Sequence, residues 1–431
     1  MPRPTPALRP RRREGPLDSL LDRFCRYVRV DTTAVDETDA YPSSAGQLEL
    51  GRLLVAELQA LGIEDAAQNE HGIVTASIPG NIAGAPVVAW IAHLDTSPES
   101  SGKDVRPVID ANYDGQDIPL PGDPAQVIRV AESAGLAALK GMTLISSDGT
   151  TLLGADDKAG VAVIMTAAER LLRERSLRHG KIRIAFTCDE EVGRGVDKVD
   201  LSQLGADFAY TLDGESAGTI ENETFSADVA VVTIKGRKIH PGLARGRMVS
   251  AIRIAGHFLA RMPWESMAPE TSSGREGFLH PYVLEGSVAE ARIRIILRSF
   301  ETPELVRQAD LLREIAAELG KEHPRAAIAV TVTEQYRNML EPLESDPRVV
   351  ALAAQAMRLA GLTPKFEAIR GGTDGARLSA LGLLTPNIGC GMHNFHSPLE
   401  YACLEEMEKT VEVLIELARL WAAERPTPAG A

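Results

Sequence analysis

Four short stretches of this chain share one arrangement, an apolar run of strand length that ends in histidine or acid: VVAWIAHLD, IRIAFTCDEE, FAYTLDG and TPNIGCGMHNFH. A fifth stretch, GADDKAG, sets Asp156 and Asp157 against the first turn of a helix expected over KAGVAVIMTAAERLLRER. In an open parallel sheet the carboxyl ends of the strands converge on one crevice, and such folds bind their ligands there. One carboxylate would suffice to cap the helix and complement its dipole. Two of them, with His93, Glu190, Glu191, Asp213 and His396 at equivalent strand ends, point to a metal centre.

Strand and helix alternate between these runs, which implies an α/β fold: a mostly parallel sheet with helices on both faces. Helical spacing recurs in LDSLLDRFCRYVRV and GQLELGRLLVAELQALG, and the stretch from Ser97 to Lys140, rich in Pro, Gly and Asp, reads as loops and a hairpin. After Glu221 the order becomes β-α-β-β-α-β, a split βαβ unit. In its ARIRIILRSF segment, Arg292, Arg294 and Arg298 share one strand face and Ile293, Ile295 and Leu297 the other. From about Asn338 the first pattern resumes, so the small α+β domain is an insertion. The expected organisation is a disordered tail over 1–15, a catalytic domain in two parts, 16–221 and 337–424, and the inserted domain over 222–336.

A chain of 431 residues is too long for one ordinary core, in keeping with two domains. Its formal net charge of -14 argues against nucleic acid or an anionic membrane as partner. No stretch approaches the ~18 apolar residues of a membrane span. The basic opening MPRPTPALRPRRREG lacks the apolar segment of a signal peptide. Cys25, Cys188, Cys390 and Cys403 are scattered without close pairing, which fits a reducing cytoplasm.

Two metal ions ~3.5 to 4 Å apart can share a water and clamp the oxygens of a displacement. Asp156 suits the bridging position. Three carboxylates, Asp156, Glu191 and Asp213, with His93, His396 and one hydroxide would neutralise two divalent cations, which favours a pair over a single ion. Glu190 and Glu191, adjacent at a strand end, point in opposite directions, so one can face metal and the other a water. Asp95 shares a strand face with His93.

The stretches HLDTSPE, TLLGADDKAGVA, FTCDEEVGRG, LDGE, IHPG, PETSSGREGF, IRGGTDG and HNFHSPLEY, in this order from about Leu21 to about Leu420, closely resemble the peptidase T branch of the di-zinc aminopeptidase and carboxypeptidase superfamily. The resemblance implies two zinc ions, with Asp156 bridging, His93 and Asp213 completing one site, and Glu191 and His396 the other. It implies Glu190 as general base, Asp95 as the residue that orients His93, and a cis peptide between Asp156 and Asp157. Asp at position 213 goes with aminopeptidases in these enzymes, where Glu goes with carboxypeptidases and deacylases. His240, in KGRKIHPG, matches a histidine of the lid and dimerisation domain that reaches the substrate carbonyl, in several dimers from the opposite subunit. Arg298, Arg370 and Asn338 are candidates for the peptide's terminal carboxylate, because Arg offers a planar fork that matches it. The implied function is a cytoplasmic, homodimeric zinc aminopeptidase acting on short peptides, tripeptides foremost. Its rivals are a metal-dependent deacylase or carboxypeptidase on the same scaffold and a non-catalytic peptide-binding relative.

Overall fold

The strand Val88–His93 is buried at every position, so both faces of the sheet around it must be covered, as parallel sheets require. It lies near the middle of an eight-stranded sheet, which the computed structural model, describing residues 18–425, orders as Ala67–Gln68, Val74–Ile78, Ile182–Thr187, Val88–His93, Phe208–Gly214, Asn387–Gly389, Thr219–Thr224 and Lys365–Ile369. The central four of these are mutually parallel. Strands Val74–Ile78 and Thr219–Thr224 flank them antiparallel. Register aligns His93 with Thr187, Ile91 with Thr211 and Gly389 with Gly214, so the carboxyl ends of the parallel strands finish close together. Helix Ala155–Arg173 packs on the strands that end in His93 and Asp213 and against helices Leu20–Tyr27 and Leu404–Trp421.

The chain forms two compact units. Among the described residues the first takes 18–221, Ser345–Glu367 and 381–425. The expected basic tail over 1–15 lies outside the described residues. Within this unit the 97–140 stretch forms the expected hairpin, Ile118–Pro119 with Val127–Ile128, and more. Its strand Val108–Asp110 extends a four-stranded antiparallel sheet through Leu144–Ser146 and Tyr401–Cys403 to Met392–His393. Tyr113, Leu120, Ile128, Leu136, Leu139, Leu144, Tyr401 and Cys403 make a small core of its own.

The second unit is Asn222–Glu344 with Ala368–Ala380. Its chain order is β-α-β-β-α-β, in an antiparallel sheet ordered Phe278–Gly286, Glu290–Ser299, Ser226–Lys235 and Ala327–Tyr336. Helices Ala251–Leu259 and Thr302–Glu322 pack on it. Ile293, Ile295 and Leu297 are buried in its core while Arg292 and Arg294 on the other strand face are exposed. The unit is larger than the 222–336 segment expected for it. Residues 337–344 and 368–380, read in the sequence as part of the other domain, belong here because helix Leu340–Glu344 packs on helix Asp374–Ala380, which packs on strand Ala327–Tyr336. Gly372 permits that approach, since a Cβ there would collide with the Tyr336 ring. Among the described residues no helix is long and apolar enough to cross a membrane, and all four cysteines are free and buried.

Candidate metal centre

His93 closes its strand with a ring fixed at both nitrogens. Nδ1 lies 3.1 Å from the Asp95 carbonyl oxygen, and Nε2 lies 2.9 Å from Asp156 Oδ1 and 3.4 Å from Asp213 Oδ1. A proton on Nδ1 donated to that carbonyl leaves the Nε2 lone pair free to ligate, the arrangement common to metal-binding imidazoles. Asp156 turns its other oxygen, Oδ2, to His396 Nε2 at 3.3 Å, and the same nitrogen is 2.8 Å from Glu191 Oε2. Two donor sets result, His93–Asp156–Asp213 and Asp156–Glu191–His396, each with its ligand atoms within 4.8 Å of one another and with Asp156 in common. One oxygen of Asp156 serves each set, the geometry of a bridging carboxylate.

The residues fit a pair of divalent cations on two further grounds. Glu191 Oε1 is buried with no hydrogen-bond partner, although a buried carboxylate oxygen is costly to leave unsatisfied. The charges are also out of balance. Burial alone would depress the His93 imidazole, but Asp213, Asp156 and Asp95 outweigh it and hold its pKa well above the ordinary value. His396 is pushed up to about 11 in the same way, with burial opposing and Asp156 and Glu191 prevailing. Burial, reinforced by the charge of Asp156, pushes Glu191 up to about 8 and Asp213 up to about 7. A cluster that retains protons this strongly lacks positive charge, which bound cations would supply.

Asp157, buried beside Asp156, faces elsewhere: its oxygens accept the backbone N–H groups of His93 at 3.0 Å and Gly160 at 3.2 Å. The peptide between the two aspartates is cis. Asp95 also works through the backbone. Its carboxylate oxygens accept the N–H groups of Glu190 at 3.1 Å and Glu191 at 3.0 Å, while its carbonyl, and not its carboxylate at 3.5 Å, lies nearest His93 Nδ1. The Glu191 side chain is 5% exposed, and as whole residues Glu190 and Glu191 are both half-buried.

Three further residues, which sequence reasoning missed, support the same loops. Asp189 has a left-handed backbone at φ 62° and accepts bonds from Ser43, Gln47 and Arg194, which tie the Glu190–Glu191 turn to the loop before helix Ala45–Ala60. Asn387 accepts the Asp213 N–H at 2.9 Å and donates to Glu221, whose carboxyl burial pushes up to about 8. Glu400 accepts three N–H groups from the segment that carries Asp156. Backbone contacts of this kind leave no residue pattern; the one available signal was an acid four places after His396.

His240, Arg298, Asn338 and Arg370 belong to the second unit. His240 is exposed and accepts a bond from the Gly242 N–H through Nδ1. The donors expected to hold a substrate carboxylate are engaged within the unit. Arg370 donates to Gly274 O, Glu276 O and Ser272 Oγ at 2.6 to 2.9 Å and lies against the Phe225 and Phe278 rings. Asn338 donates to Glu223 and Phe300 O and accepts from Thr224 and Leu340. Arg298 donates to Leu297 O and Gln335 and lies over the Tyr336 ring. These contacts tie the two arginines and Asn338 to their own loops and strands.

A family model, peptidase family M20/M25/M40, matches residues 149–420, which include Asp156, Glu191, Asp213 and His396. A peptidase T of Geobacillus thermodenitrificans is 44% identical over 403 residues, 93% of this chain and 98% of that one. The crystal structure of aminopeptidase PepT from Bacillus cereus superposes with a TM-score of 0.72 at 25% identity, covering 94% of this chain and 98% of that chain. A tripeptidase structure from Staphylococcus aureus shares the fold, with a TM-score of 0.73 at 21% identity over 94% of this chain and 98% of that chain. Likeness at this level across almost the whole of both chains decides the matter: the chain belongs to peptidase family M20/M25/M40, and within it to the peptidase T group of metallopeptidases.

Proposed function

We propose that this enzyme is a di-zinc aminopeptidase that removes the amino-terminal residue from short peptides, tripeptides foremost. The observation that carries the reading is the pair of donor sets that share Asp156. His93 and Asp213 would hold one zinc, Glu191 and His396 the other, and Asp156 both. Bound there, the ions supply Lewis acidity at the scissile carbonyl and make a water easier to deprotonate. Glu190 takes the proton of the attacking water and returns it to the leaving amine. Asp95 holds the Glu190 and Glu191 amides, so the base and a metal ligand move as one piece.

A free α-amino group, with an unperturbed pKa of ~7.7 to 8.0, is largely cationic near neutrality and is favoured by a carboxylate-rich site. The names of the B. cereus aminopeptidase and the S. aureus tripeptidase support the same direction of attack and the same substrate length. We extend the reading to a cytoplasmic homodimer in which the second unit serves as lid and dimerisation domain and His240 contacts the substrate carbonyl. Light scattering tests the dimer, and unchanged turnover in His240→Ala would remove that contact.

The deciding experiment is mass spectrometry of products from a free tripeptide and its N-acetyl form, on enzyme supplied with zinc. Release of the first residue from the free tripeptide alone is expected. Release of the carboxyl-terminal residue, or faster cleavage of N-acyl amino acids, would transfer the reading to a carboxypeptidase or deacylase.

A further inference from the structure

The loop that delivers His396 ends four residues later in a second carboxylate, Glu400, which is 1% exposed. Its Oε2 accepts the N–H groups of Leu153 at 2.8 Å and Gly154 at 2.6 Å, and its Oε1 accepts that of Asp156 at 2.9 Å. These amides need an outside acceptor. Gly154 is left-handed at φ 80°, and Asp156 and Asp157 have non-helical backbones, so the segment has the unsatisfied donors of a helix start. One buried side chain takes three of them and leaves the Asp156 side chain free to face two imidazoles.

The other end of the contact is equally constrained. Glu400 N–H donates to Ser397 O at 3.2 Å, and Ser397 Oγ donates to Asn394 O at 2.8 Å, which closes the loop on either side of His396. Asn394 and His396 are left-handed at φ 52° and 61°, a region uncommon for non-glycine residues though one that Asn and His favour. The loop that presents His396 is therefore bonded through Glu400 to the segment that presents Asp156, and these two side chains meet at 3.3 Å.

We propose that Glu400 is a positioning residue of the metal centre, whose three backbone hydrogen bonds set the Asp156 segment and the His396 loop in one relative position before any metal arrives. The proposal rests on the metal-centre reading and assigns Glu400 no contact with metal or substrate. In Glu400→Gln the shape is kept, but an amide NH₂ replaces one acceptor and faces the N–H groups. The test is calorimetric titration of cobalt(II) into metal-stripped full-length wild type and Glu400→Gln, each first shown to be folded by circular dichroism. Loss of an outer partner of this kind weakens metal binding ~10 to 100-fold, and the visible band of the cobalt-loaded variant should change with it. A folded variant with wild-type cobalt affinity and wild-type band overturns the proposal, because a role confined to fold stability moves the melting temperature and neither of these. Should the variant fail to fold, amide exchange on metal-stripped wild type decides: protection at Leu153, Gly154 and Asp156 supports pre-positioning, and protection that appears only with cobalt overturns it. A wild type that binds no cobalt removes the metal centre itself, and this proposal with it.

Discussion

Two buried charge clusters in the first unit are built on opposite principles. Arg23, 2% exposed, bonds Glu57 Oε1 at 2.5 Å and Glu169 Oε2 at 2.6 Å; Glu57 also meets Arg26 and Tyr27, and Glu169 also meets Arg173. Every acid there has a cationic partner. Around Asp156, three carboxylates share two imidazoles, whose charge depends on holding a proton. A closed network of the first kind holds the fold together, whereas the open one leaves a charge deficit that a ligand can fill. Perturbed groups gathered in one place mark function more often than they mark stability.

That contrast can be broken by substitution. Glu190→Gln should lower kcat by ~10² to 10⁴ with zinc content near wild type, the range of general acid-base catalysis. Elemental analysis that finds both metals lost would instead make Glu190 a ligand. Arg23→Ala removes the central partner of Glu57 and Glu169, which keep Arg26, Tyr27 and Arg173, and should cost about 3 kcal/mol of stability in denaturant melts, with kcat of the folded fraction unchanged. A drop in turnover larger than the drop in folded protein would show that the closed cluster also serves the reaction.

Zinc sharpens the same comparison. At 100 times its dissociation constant it should stabilise the stripped protein by about 2.7 kcal/mol, and equally in the Arg23→Ala background, since it fills one cluster and not the other. The last comparison separates buried acids by pH. Glu221, raised from 4.5 to about 8 by burial first, with the Asn387 bond opposing, stays protonated in the fold while it ionises in the unfolded chain. Its contribution is therefore intact below pH about 4.5 and is lost as pH rises towards about 8. Glu221→Gln should flatten that part of the stability–pH curve of the metal-free protein; an unchanged slope would place the titrating group elsewhere.

The strand-end candidates were legible because a parallel sheet sets one repeating rule: a fully apolar run, then His93 or Asp213. Asp156 was given the bridging place in the sequence, but the role of Asp157 was not legible, because its bonds to the His93 and Gly160 amides leave no mark there. Asp95 and Glu400 act on backbone amides, which look alike in sequence, and Asp189 takes a backbone amide together with side chains of Gln47 and Arg194. The bonds that Arg370 and Asn338 make to their own unit's carbonyls and side chains were not legible, since nothing in IRGGTDG or EQYRNM marks them. The domain boundary shifted for a related reason: helices Leu340–Glu344 and Asp374–Ala380 are too short to declare their allegiance by periodicity, and contact decides it.

The 97–140 stretch has the composition of a segment that protein engineers trim first. Tolerance to deletion follows buried backbone and hydrogen bonds more than loop-like composition. Here Ser133 accepts a bond from Asn394 at 2.9 Å, and Val108–Asp110 shares a sheet with the strand that follows Glu400. A shortened version would lose a buttress of the His396 loop, so a deletion remote from every candidate ligand would still reach the metal centre through the backbone.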